Sequence, residues 1–314
     1  MILIAGIESE SPVRLVREAA ERAAIPYVML NQRKCHLYEL SIKHYKNTWD
    51  CSININGRDF NFDDFAGVYV RMMDFGFLPE IRNKVYNYIG ERAAQKSLAF
   101  HQQFINWIEI ADCRVMNRSL DMLSNMSKPY QLQLIAECGL KVPPTCITNS
   151  DTEVIKFKDA YTNVIFKSSS WMRSIVKELN NCTQNSISRV RYLPTQFQKK
   201  LRGTNIRVHV VGNNVFATKI KSPIVDYRYS SCEGANTIFE SHFLPNEIND
   251  KCIHLSKQLN LPLCGIDLFL TDEGEYYCFE VNPSPGYSYY QENTGQDIAS
   301  SIVRFLEFGT TEKY

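Results

Sequence analysis

Apolar and polar positions along the chain fall into short, well-marked blocks. The opening "MILIAGI" is an unbroken apolar run of the length and composition of a buried strand. "VRLVREAAERAA" follows at helical spacing, with Ser9 or Ser11 available as its cap and Pro12 near the first turn. "PYVMLN" reads as another strand, so the chain starts as a β-α-β unit of a parallel sheet. In "CSININGRDFNF" alternating segments flank Asn56 and Gly57, a dipeptide suited to a two-residue hairpin turn. "FAGVYVRMM" is a further strand that ends at Arg71. From residue 80 to about 111 the pattern is helical, and a boundary falls near Asp112.

Beyond that point "NRSLDMLSNMSKPYQLQLIAECGLKVPPTCIT" predicts a helix closed by Gly139 and a strand entered through Pro143 and Pro144. "NVIFKSSS" is a strand that delivers Lys167 into a serine-rich loop. "TQFQKKLRGTNIRVHVVGNNVFATKIKS" predicts two or three strands around a Gly212, Asn213, Asn214 turn, and "NEINDKCIHLSKQLNL" a helix. No internal repeat marks an array architecture.

The stretch "GIDLFLTDEGEYYCFEVNPSPGYSYY" carries the most chemistry. Period-two alternation runs on both sides of "DEG". If Glu273 and Gly274 form a two-residue loop, or residues 272 to 275 a four-residue one, the register puts Asp267 directly opposite Glu280. On this alternation Cys278, Glu280 and Asn282 share one face. Opposed Cβ atoms on one face sit about 4.5–5.5 Å apart, so Asp267, Glu280 and Asn282 converge. On a solvated face the two acids would merely repel, with Asn282 capping the turn into Pro283. On a central hairpin they form a site for a hard cation, because Mg²⁺ takes oxygen ligands from one or two carboxylates and fills its shell from water or phosphate.

Composition narrows the classes. The chain has 314 residues, enough for two or three domains, and 35 Lys plus Arg against 34 Asp plus Glu. It therefore has no bulk basic field for nucleic acid or an acidic membrane, and any phosphate site is local. No apolar run approaches the roughly 20 residues of a membrane span. The start turns acidic at Glu8, too soon for a signal peptide. The ten cysteines have no CxxC pair and no metal spacing to the six histidines, which predicts free thiols in a reducing cytoplasm.

The order of these parts resembles the ATP-grasp superfamily: a lysine at a strand-helix junction, a second lysine at a strand end, "IRVHVVG", then a GxD strand paired with ExN. The likeness is closest to its RimK-like carboxylate-amine ligases, over residues 117 to 306, with "FEVNPSPGYSYYQENTGQDIA" its most specific piece. It implies an α/β (α+β) fold with an N-terminal β-α-β domain (1–112), a small central domain (113–195) and a C-terminal antiparallel-sheet domain (196–314). It also implies an enzyme that uses ATP to convert a carboxylate into an acyl phosphate, which an amine attacks to give an amide. Amino acids or peptides, ribosomal peptides among them, are the implied substrates, and a homo-oligomeric state is left open.

By the same resemblance Asp267, Glu280 and Asn282 hold Mg²⁺, two ions with Mn²⁺ as a substitute, and Lys128 and Lys167 contact the phosphates. Gln198, Lys199, Lys200 and Leu201 lie along the adenine, through main-chain groups. Arg207 faces the transferred phosphoryl, and Lys219 serves the same anion or is a solvated strand lysine. Arg71, at a strand end, is a substrate-carboxylate candidate or a structural ion pair. His209 shares Arg207's face and reads as structural. Two positions depart from the family pattern. "KSSSWMRSIV" lacks the glycines of the usual phosphate loop, and Asn205 stands where relatives carry an acid. A phosphotransferase and a silent nucleotide-binding scaffold are the rival readings.

Overall fold

The computed structural model describes residues 1–78, 90–168, 176–179, 187–222 and 237–309. At the N-terminus, β1 (Ile2–Gly6), α1 (Ser11–Arg22) and β2 (Tyr27–Asn31) form the expected parallel unit. Neither serine caps α1. Its N-cap position is Glu10, without a side-chain cap, and the Glu10 carboxylate turns instead to Arg71. β3 (Glu39–Tyr45), β4 (Thr48–Ile55) and β5 (Arg58–Asn61) make a separate antiparallel sheet, with Asn56 and Gly57 at φ 54° and 80° in the expected turn. β6 (Gly67–Arg71), α2 (Glu91–Ile110) and β7 (Arg114–Met116) complete a four-stranded parallel sheet ordered β2-β1-β6-β7. The expected boundary near residue 112 therefore comes one strand early, because β7 pairs with β6. The first part of the helical stretch, residues 80 to 89, lies outside the described residues.

Next come α3 (Lys128–Glu137), β8 (Thr145–Thr148), α4 (Asp151–Ala160), β9 (Val164–Ser168), β10 (Lys177–Glu178) and β11 (Thr195–Lys199). Their strands form an antiparallel sheet ordered β10-β9-β11-β8 around Val154, Val164, Leu179 and Phe197. Since β11 pairs with both β8 and β9, the second boundary also moves, from 195 to beyond Lys199. Ser169 and Ser170 of the serine-rich loop lie outside the described residues.

The last region holds β12 (Gly203–Val211), β13 (Asn214–Lys221), β14 (Ile238–His242), α5 (Asn246–Gln258), β15 (Leu263–Thr271), β16 (Tyr276–Asn282), α6 (Ser288–Thr294) and α7 (Ile298–Phe308). Its five strands are antiparallel in the order β14-β13-β12-β15-β16. Ile206, Val208, Leu268 and Val281 pack one face against α3 and α5 through Ile135, Cys252 and Leu255. The opposite face carries Asn205, Arg207 and His209. Helix α7 returns to the N-terminal sheet, where Ile302 and Leu306 join Val13 and Val16 in one core.

The β15-β16 hairpin reaches the expected pairing by a different path. Residues 272–274 form a three-residue loop, closed by Gly274 N–H to Thr271 O and Thr271 N–H to Glu275 O, both at 2.9 Å, with Gly274 at φ 84°. That sets Leu268 opposite Cys278, one residue off the expected register. A β-bulge between Leu268 and Asp267 takes up Phe279 and restores Asp267 opposite Glu280. Cys278 consequently turns into the core and does not share Glu280's face, while Phe279 and Glu280 both line a cleft. Among the described residues no helix is long and apolar enough to cross a membrane, and the eight cysteines are free thiols.

Candidate functional site

A cleft of about 560 Å³ lies between the central sheet and the polar face of the five-stranded sheet. A row of directly opposed residues crosses its floor, Glu280 on β16, Asp267 on β15 and Arg207 on β12, and continues outside the cleft to Thr218 on β13. Strand pairing thus aligns an acid, an acid and an arginine. Arg207 is 7 % exposed, and its Nη1 donates to Asp267 Oδ1 at 2.5 Å. Its guanidinium lies over Gly265, where a Cβ would sit 2.3 Å from Nη2. Glycine is required there because any side chain would displace the arginine. The Tyr290 ring lies 5.9 Å from the guanidinium carbon.

Of the residues expected at a metal, Asp267 and Glu280 line the cleft and Asn282 does not. Asn282 sits opposite Gly265 at the end of β16, where its Oδ1 accepts the Ser284 N–H at 3.0 Å. That turn leaves the amide oxygen a second lone pair. The Glu280 carboxylate has no hydrogen-bond or ion-pair partner among the described residues. No three His, Cys, Asp or Glu side chains there converge as a metal cage. Two carboxylates, an amide oxygen and solvent or phosphate oxygens are the donor set Mg²⁺ accepts, so the residues fit that ion.

Gln131, which sequence reasoning missed, fixes this strand end. Its Nε2 donates to Val281 O and its Oε1 accepts Val281 N–H, both at 2.9 Å, between Glu280 and Asn282. Lys128 lies one helical turn earlier on α3, three residues before Gln131, and is not among the cleft-lining residues. Asn117, also unforeseen, ties the ends of the hairpin by donating to Leu263 O and Pro283 O. A buried glutamine or asparagine in a helical or loop context gives no period-based signal.

On the other wall Lys167, Gln198, Lys200 and Leu201 line the cleft. Gln198 Nε2 donates to Thr145 Oγ1 at 3.0 Å, and Lys200 Nζ pairs with Glu178. Lys199 faces away, with its Nζ 5.9 Å from the Tyr161 ring. The Lys199 and Lys200 N–H groups already donate to Pro144 O and Asn163 O. Of these three adjacent main-chain donors, Leu201 N–H alone has no partner among the described residues. Lys219 is not brought to the site: it lies opposite Ile206, one residue off the Arg207 row, on the sheet face that packs the core.

Arg71 meets the loop that follows Asn282. Its Nε donates to Glu10 Oε1 at 2.8 Å and its Nη1 to Pro285 O at 2.9 Å and Ser284 Oγ at 3.3 Å. The structural ion pair is therefore present. His209 is fully buried. Burial, and then the nearby charge of Arg207, hold its pKa well below the usual histidine value.

A family model described as the RimK-like ATP-grasp domain matches residues 125–306, more than half of the chain. A probable alpha-L-glutamate ligase of Vibrio atlanticus is 24 % identical over 249 residues, covering 72 % of this chain and 81 % of the relative. Among solved structures, a Chryseobacterium gregarium RiPP-associated ATP-grasp ligase in complex with ADP and a leader and core peptide superimposes with a TM-score of 0.81 at 20 % identity. That likeness covers 99 % of this chain and 98 % of the other. The macrocyclase MdnC of Microcystis aeruginosa, bound with precursor peptide MdnA, gives 0.75 at 18 %, covering 98 % and 99 %. With the cleft between two antiparallel sheets and the Glu280-Asp267-Arg207 row inside the matched region, the chain belongs to the RimK-like ATP-grasp family.

Proposed function

We propose that this protein is an ATP-dependent, ADP-forming ligase that joins a carboxylate to an amine on a peptide. The observation that carries the reading is the Glu280-Asp267-Arg207 row on the floor of the cleft, which sets cation-binding oxygens beside a buried guanidinium. The ligases and peptide-bound structures among its relatives support it.

Asp267, Glu280 and Asn282 would hold Mg²⁺, as two ions in the fuller form of the proposal. Bound there, the metal neutralises the triphosphate. Lys167 draws the phosphates toward the central sheet, and Lys128 approaches from α3. Leu201 N–H is the main-chain donor available to adenine. A carboxylate oxygen of the substrate bonds to the γ-phosphorus as the bond to the bridging oxygen breaks and ADP leaves. Arg207, held by Asp267 and Gly265, meets the charge that develops on the transferred group. The amine nitrogen then bonds to the acyl carbon, the bond to phosphate breaks, and the amine gives up a proton.

The test replaces the amine with hydroxylamine. In the presence of a peptide carboxylate substrate, Mg²⁺ and ATP, the enzyme is expected to release a hydroxamate with equal ADP and phosphate. A stable phosphoester without hydroxamate identifies a phosphotransferase instead, and no ATP consumption a scaffold.

A further inference from the structure

His209 is fully buried, and neither of its ring nitrogens has a hydrogen-bond partner among the described residues. An unmet buried polar group is destabilising, a penalty that an apolar side chain of similar shape avoids. Its surroundings show what that cost accompanies. Gly265 lies directly opposite on β15, and over Gly265's bare backbone meet the Arg207 guanidinium and the Pro285 ring. The Tyr290 ring packs edge-on against the imidazole at 4.9 Å and also lies by Arg207. The Gly286 carbonyl comes close to the imidazole without reaching hydrogen-bond geometry. Residues 283–286 form the loop that follows Asn282, and Arg71 grips the same loop from the N-terminal domain through Pro285 O and Ser284 Oγ.

We propose that His209 is a positioning residue that couples Arg207 to loop 283–286, its ring N–H bonding Gly286 O when the loop settles around bound nucleotide. Without the imidazole, the space over Gly265 lets both the guanidinium and the loop shift, and the arginine loses its aim at the transferred group. A residue that only fills the core would be replaced by phenylalanine without kinetic loss. A positioning residue would not, even though the replacement removes two unmet polar atoms.

The kinetic arm rests on the ligase reading, and the spectroscopic arm does not. In full-length protein, His209→Phe is expected to keep or raise Tm, to lower the hydroxamate kcat at least tenfold and to leave KM for ATP within about twofold. His209→Gln, which restores a donor, is expected to recover most of that loss. His209→Leu takes the place of the phenylalanine variant if the latter does not fold. In wild-type protein labelled with ¹⁵N-histidine, addition of Mg-ADP is expected to shift the His209 ring nitrogens and slow exchange of the ring proton. Wild-type turnover in the phenylalanine or leucine variant, or a rate loss that merely tracks Tm, overturns the proposal. So do ring signals unmoved by Mg-ADP, whichever reaction the enzyme catalyses.

Discussion

Asp267 pairs with Arg207 as well as facing the proposed cation site, whereas Glu280 faces that site alone, which makes their substitutions informative in different ways. Asp267 is the charge partner of an almost fully buried arginine, so Asp267→Asn is expected both to weaken the proposed cation site and to strand Arg207. Stranding a buried charge costs about 3–5 kcal/mol when burial is complete, and less here because the Asp267 side chain is 27 % exposed. Glu280 has no such partner. Glu280→Gln is therefore expected to abolish carboxylate-dependent ADP release while leaving Tm essentially unchanged, whereas Asp267→Asn loses activity and melts several degrees lower. Thermal melts beside an ADP-release assay check both, and full turnover of Glu280→Gln at saturating Mg²⁺ would remove the metal site from the mechanism. Period-two alternation made the opposition of these acids legible in the sequence. The route to it was not legible, because a three-residue turn and a bulge at Phe279 offset each other by one residue, and neither leaves a distinct composition. The bulge also explains why Cys278 enters the core despite its apparent alternation with Glu280.

Among elements, α3 and β16 behave as one piece because Gln131 satisfies both main-chain groups of Val281. Gln131→Leu fits the helix but leaves a buried N–H and C=O unpaired, at about 1–3 kcal/mol each if neither finds water. It is expected to lower Tm and, by loosening the strand end between Glu280 and Asn282 together with the first turn carrying Lys128, to raise KM for ATP several-fold. An unchanged KM with a lowered Tm would confine Gln131 to stability. Elements with strong periodicity, such as α5 and β12, were readable from sequence, as was the hairpin turn at Asn56 and Gly57. β3 and β14 were not. The β3-β4 turn uses Lys46 and Asn47 at φ 48° and 62°, left-handed positions filled without glycine, so no turn signal stands out. β14 is a five-residue strand whose place is set by pairing with β13. Lys219 shows the same limit: its sequence distance from a turn says nothing of which face it takes, and its pairing with Ile206 puts it on the core side.

At the scale of the molecule, the N-terminal and C-terminal regions interlock across the boundary expected near residue 112. β7 extends the first sheet past residue 112, and α7 supplies Ile302 and Leu306 to the core of α1 and β1. Arg71 is the polar counterpart of that junction. It reaches from the end of β6 to loop 283–286, with Glu10 fixing its Nε. Its two expected roles differ in kinetics. As a direct ligand for the substrate carboxylate, its loss would raise KM for that substrate. As a tie on the loop behind Asn282, its loss would lower kcat at an unchanged KM. The observed donors favour the tie, since Nε and Nη1 are both engaged within the protein. Arg71→Lys keeps the positive charge but cannot span Glu10 and Pro285 with one planar fork. It is expected to reduce the hydroxamate kcat about tenfold, the order of effect of misplacing a group near the reacting atoms, while KM for the carboxylate stays within about twofold. A tenfold rise in that KM at wild-type kcat would return Arg71 to the substrate site. Glu10→Gln, which keeps the length of the side chain but weakens its hold on Arg71, separates the two further, because only the tie predicts that it shares the kcat defect.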